Sequence, residues 1–198
     1  MIRTALYWGE AFLEWVINNP TADTNIAIDQ VDARLYLNMA VESFMTQKMA
    51  GKFPDVMFSS FAVPVQVPVT GCESNLPYSP ALGMHGIVSV SKDGFVYHPT
   101  EGLRRYLAAQ VMATSEAPTW ELQEKTLIWR PYSPSDSVEV LMVPNVTDLS
   151  NNDPYGLPLG AQDYIFATAL NFAVQKLSMK TPLRNDTRPD ISIGKPAN

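Results

Sequence analysis

Apolar residues recur every three or four positions at both ends of this chain and every second position through its middle. A helix repeats about every 3.6 residues and a strand every two, so the switch of period predicts an α+β fold. The ends, residues 1–55 and 155–180, are expected to fold back together as a helical bundle. Residues 56–147 are then a β-rich insertion, and residues 181–198 an extended tail too polar to bury enough surface to fold alone. The length suits one domain with extended appendages.

Residues 3–18 carry Leu6, Tyr7, Phe12, Leu13, Val16 and Ile17 at helical spacing and end at Asn18-Asn19-Pro20. A second helix is expected over about residues 25–50. Thr24 serves as N-cap, and its stripe is Ile28, Val31, Leu35, Leu37, Val41, Phe44, Met45 and Met49, with Gly51 following as C′. The two are expected to form an antiparallel hairpin. A third helix spans about residues 160–179, with Phe166, Leu170, Ala173, Val174 and Leu177 on one face.

In the middle, Val63 to Val69 alternates with Pro64 and Pro68. Proline cannot donate to a ladder, so this is an edge strand or an extended arm. Residues 71–83 read as a loop. Ile87–Ser91 and Phe95–His98 flank Asp93-Gly94, a hairpin signal. Thr119–Leu122 and Thr126–Trp129 form a second hairpin, and Ser137–Val143 a further strand ended by Pro144. Residues 147–160 read as a loop. Residues 100–113 are ambiguous: Thr100 suits a helix cap before Leu103, Tyr106, Leu107 and Val111, but Gly102 weakens it.

Charged residues make up only 17% of the chain. Two readings fit: a surface partly covered by other subunits, or one rich in uncharged polar groups. The net charge of −6 argues against gripping nucleic acid, which needs clustered Lys and Arg. One cysteine, Cys72, cannot form an internal disulfide, so a reducing compartment is expected. Residues 2–19 carry Arg3, Glu10 and Glu14, which exclude a membrane span and fit a signal peptide poorly.

Chemistry is sparse, and we assign no catalytic, cofactor-binding or metal-ligating residue. His85 and His98 have no neighbouring ligands at metal spacing. Cys72 lies beside Glu73, which would raise a thiol pKa. Gly83-Met84-His85-Gly86 lacks the spacing of a phosphate loop and reads as a lead into a strand. Glu121 and Glu124 fall on a hairpin turn and are expected to be solvated. Trp8 and Trp15, seven apart, share a helix face and suit the core or an intersubunit contact.

The order of these pieces resembles the head–tail connector (adaptor, or ring) proteins of tailed double-stranded DNA phages, in particular the ring proteins of crAss-like phages and tail tubular protein A. The likeness rests on Asp32-Ala33-Arg34-Leu35 in the second helix and on Val63-Pro64-Val65-Gln66 with Cys72 shortly after. It continues through Gly94 to Thr100, Thr126-Leu127-Ile128-Trp129 and Val138-Glu139-Val140-Leu141. It closes on Leu157-Pro158 to Leu177, then Pro182 to Asp186. It departs from the pattern at 70–83 and 100–113. The resemblance implies a structural, non-enzymatic virion protein of the neck, assembled in a host cytoplasm. It implies a homo-oligomeric ring of about twelve copies around a DNA channel. Its partners would be the portal protein, an adjacent tail or second ring protein, and passing double-stranded DNA read without sequence specificity, with no membrane and no cofactor. A second expectation, of a different class, is a carbohydrate- or protein-binding β module with exposed Trp120 and Trp129.

Overall fold

The computed structural model describes residues 2–19, 28–100, 118–130, 133–158 and 160–180. Among the described residues the fold is mixed α+β, with three α-helices and antiparallel sheets. Residues 181–198, most of 100–113, and Thr24 lie outside the described residues.

Helix α1 spans Ala5–Asn18. The residues before it are not helical: Ile2–Thr4 form strand β1. The amides of a first helical turn have no partner within the helix. Here the Tyr7 amide donates to Thr4 Oγ1, and those of Ala5 and Leu6 donate to the carbonyls of Asp153 and Asn151, at 2.9 and 3.1 Å. Ala5, Trp8, Phe12 and Val16 face the core, whereas Ile17 is 75% exposed.

Helix α2 spans Gln30–Met49 and starts later than expected. Its N-cap is Asp29, whose Oδ1 accepts from the Asp32 amide at 2.7 Å. It buries Ala33, Tyr36, Leu37, Ala40, Val41, Phe44 and Met45. Val31 is 78% exposed, and Met49 is exposed too, so neither belongs to the buried stripe. Counting only large apolar residues misplaces the face, which the small residues Ala33 and Ala40 mark as well. Gly51 closes the helix at φ 86°, a left-handed conformation that costs glycine little.

Helix α3 spans Gln162–Lys180 and buries Ile165, Phe166, Ala169, Leu170 and Ala173, while Val174 is exposed. It runs antiparallel to α2. Gln47 donates to the Tyr164 hydroxyl at one end, and Lys176 Nζ lies 3.0 Å from Asp32 Oδ1 at the other. The rings of Phe12 and Trp15 meet Phe166, near the start of α3. The start of α1 meets Asn151, which Arg34 of α2 also binds. These contacts set α1 in the same sense as α2, so the expected antiparallel hairpin is corrected.

The β region holds two sheets. One is ordered β2-β8-β4-β5, from Val63–Pro68, Ser137–Met142, Ile87–Lys92 and Phe95–Tyr97. The other is ordered β3-β7-β6, from Glu73–Asn75, Thr126–Arg130 and Thr119–Gln123. Both expected hairpins form, with Asp93, Gly94 and Glu124 at positive φ in their turns. Strand β2 is an edge strand. The Val69 amide donates toward the β8 side, so Pro64 and Pro68, of opposite parity, take the outward positions where no donor is needed. Two expected loops contain short strands: β3 within 71–83, and β9 (Pro154–Gly156) within 147–160, paired with β1. Three residues are too few to show a period of two.

Two hydrophobic cores result. The first joins the helices to Phe61, Ala62, Ala81, Val143, Val146, Leu149, Tyr155 and Leu157. The second lies between the sheets and holds Val67, Val90, Leu127, Val138, Val140 and both Trp120 and Trp129. Residues 143–157 leave β8 and lie against the helices, where side chains tie their backbone. Asn38 Oδ1 accepts from the Val146 amide at 3.0 Å, Arg34 donates to the Leu149 carbonyl at 3.2 Å, and Trp8 Nε1 donates to the Tyr155 carbonyl at 3.0 Å. Gly156 passes so close to Phe61 that an added Cβ would fall on the Phe61 carbonyl.

A buried amide left unpaired costs about 1–3 kcal/mol. Asn38→Ala strands the Val146 amide and should lower unfolding free energy in urea by about that amount. The buried Tyr155 hydroxyl has no partner among the described residues, so Tyr155→Phe should be neutral or stabilising in the same titration. Equal losses for the two variants would refute this account.

Candidate functional site

The structure brings together two histidines that the sequence separates. His85 sits in a short 3-10 turn, Gly83–Gly86, and His98 follows β5. Both line a recess of about 280 Å³ together with Met49, Met84, Val96 and Trp120. None of the described lining residues is Asp, Glu or Cys. Among the described residues no group of three or more His, Cys, Asp or Glu is placed to hold a metal ion. The recess offers apolar contact beside two imidazoles. Gly86 presses on the Ala81 backbone, where a Cβ has no room, so this glycine serves packing.

The remaining candidates disperse. Cys72 is exposed in a turn, and its carbonyl accepts from the Trp129 amide at 2.9 Å, a sheet contact. Glu121 lies within β6 rather than in the turn, 3.8 Å from Arg130, while Glu124 is exposed in the turn. Both line one cleft with Gly83 and Met84, but from a single hairpin rather than from facing walls. Trp120 and Trp129 are 3% and 2% exposed, which corrects the expectation that they are open. Their indole N–H groups donate to the Tyr97 carbonyl and to Ser74 Oγ, both at 2.9 Å. A buried, hydrogen-bonded indole offers no face for a sugar to stack on. Trp8 is buried and Trp15 packs edge-on against Phe166, so both serve the core.

Several large apolar side chains stay uncovered. Ile17, Val31 and Val174 project from the three helices, and Met57, Phe95 and Val96 from the β region. Periodicity assigned Ile17, Val31 and Val174 to buried stripes, so their exposure was hidden. The polar anchors were missed for a related reason. Asn38 interrupts an apolar run between Leu37 and Met39, which is the one signal that it has a buried partner.

A comparison with protein-family models finds no match, and a search of curated proteins finds none either. Among the described residues no helix is long and apolar enough to cross a membrane.

Two carboxylates cap turns beside the clamped segment. Asp148 accepts from the Ser79 amide at 2.9 Å, and Asp153 from the Ser150 amide at 2.7 Å. The hydrogen bonds with Ser79 hold Asp148 below the usual carboxylate range, and the Ser150 amide does the same for Asp153. Their stabilisation is complete above the ordinary Asp value of 3.8 and is lost as pH falls through the depressed folded values. Thermal melts from pH 7 down to about pH 3 should therefore show a fall in Tm below about pH 4. Asp148→Asn should lower Tm at pH 7 and make that fall shallower.

Proposed function

We propose that this protein is a structural, non-enzymatic subunit of a head–tail connector. Identical copies form a ring of about twelve around a DNA channel in the virion neck, between the portal protein and an adjacent tail or ring protein. The observation that carries this reading is the branched aliphatic residue left exposed on each of the three helices: Ile17, Val31 and Val174. Helices that have buried one face and still present such residues suit side-by-side packing against copies of themselves. The low charge content supports the same reading, since a surface covered in assembly needs fewer charges. The neck and the portal come from the resemblance of the order of sequence segments to connector proteins. A net charge of −6 suits a channel through which DNA passes without sticking.

Light scattering and negative-stain images, with and without a portal ring, test this. The expected result is ring-shaped particles whose formation is impaired by Ile17→Glu combined with Val31→Glu. Both positions are exposed, so Tm should change little. A protein that stays monomeric in the presence of portal and binds glycans instead would overturn the reading.

A further inference from the structure

We propose that the groove between the end of α1 and the start of α3 binds an arginine-bearing segment of a partner protein, with the guanidinium seated between Glu14 and Asp163 and against the ring of Trp15. The site stands whether or not copies of the chain form a ring.

The groove measures about 640 Å³. Glu14, Trp15 and Asn18 line it from α1, and Gln162, Asp163 and Phe166 from α3. Glu14 and Asp163 are both exposed, one on each wall. Trp15 is half-buried and meets Phe166 edge-on, with ring centres 5.9 Å apart. Phe12 packs on Phe166 as well, at 5.6 Å, so the aromatic floor is set by the helix packing before any partner arrives.

The charge of this groove has one sign. Among its described lining residues the ionised groups are the two carboxylates. The ion pairs among the described residues are Lys92–Asp136, Arg130–Glu121 and Lys176–Asp32, and none involves Glu14 or Asp163. The last carbonyls of a helix carry partial negative charge, which a basic residue there would offset. Helix α1 has no basic residue in its last turn. It carries Glu14 instead, one turn before Asn18, where a carboxylate opposes the dipole. Residues 20–27, which follow the groove in sequence, contain no Lys or Arg. A local rule broken without compensation nearby points to a gain made on binding.

The chemistry selects arginine among cations. A guanidinium is planar and weakly hydrated, stacks on aromatic rings, and offers donors to carboxylates on two sides at once. An ammonium is more strongly hydrated and gains less from Trp15. A metal ion needs more ligands, and among the described residues no group of three or more His, Cys, Asp or Glu is placed to hold one. One arginine side chain fills only part of the groove, which leaves room for the residues on either side of it in an extended segment.

Nuclear magnetic resonance of the nitrogen-labelled 198-residue chain tests this. The signal followed is the indole N–H of Trp15, identified by its loss in Trp15→Phe. The probes are blocked Gly-Arg-Gly and its lysine and citrulline counterparts, citrulline being the neutral analogue of arginine. The arginine peptide is expected to move the signal saturably, the lysine peptide more weakly, and the citrulline peptide not at all. Glu14→Gln combined with Asp163→Asn should weaken arginine-peptide binding at least about fivefold, with Tm little changed because both positions are exposed. An equal response to citrulline, full binding by the double variant, or no movement at about 10 mM arginine peptide would overturn the proposal. A signal that ignores the peptides but moves on Arg184→Gln with Arg188→Gln would place the chain's own tail in the groove and overturn the assignment to a partner.

Discussion

The fold depends on how the backbone of residues 145–156 is satisfied away from any sheet core. This stretch leaves the end of β8 and lies on the helices, where its polar groups must find partners or pay desolvation. They find them in both directions. Asn38, Arg34 and Trp8 reach from the helices to main-chain atoms of the segment, and the segment's own carbonyls take the free amides at the start of α1. Each side thus completes the other's hydrogen bonding. Because the partners are more than a hundred residues apart in sequence, α1 cannot be properly capped until the β region is in place.

That reciprocity explains which parts of the structure were legible beforehand. The α+β class, the two hairpins and the edge position of β2 follow from local rules: apolar period, Asp-Gly turn chemistry and the missing donor of proline. Strands β1, β3 and β9 did not show, since each is three residues long and exists only through its partner. The late start of α2 was misread because Thr24 and Asp29 are both good caps on sequence alone, and Asp29 is the one that binds the Asp32 amide. The relative sense of α1 and α2 was misread because nothing local fixes it; the contacts of Asn151 and Phe166 do.

Functional legibility was poorer, for a physical reason. Catalytic and metal sites announce themselves through scarce residue types at fixed spacing. Interaction surfaces are made of common apolar residues that are indistinguishable from core residues in a one-dimensional pattern. Ile17, Val31 and Val174 carry the same helical spacing as the residues that turned inward. Trp120 and Trp129 misled in the opposite sense, since a tryptophan between strand residues suggests an exposed platform, while both indoles here hold the two sheets together.

The distribution of the uncovered apolar residues constrains the kind of assembly. They occur both on the helices and in the β region, and Met49 at the end of α2 shares a recess with Val96 of β5. A two-fold dimer buries the same patch on both copies. Contacts that pair unlike surfaces bury both, and repeating them generates either a closed ring or an open filament. The guarded edge of β2 bears on that choice. With Pro64 and Pro68 facing outward, β2 cannot serve as a second acceptor of strands, so sheet-to-sheet propagation through both edges is blocked. Repeated contacts between copies then have to run through other surfaces, the exposed helix residues among them.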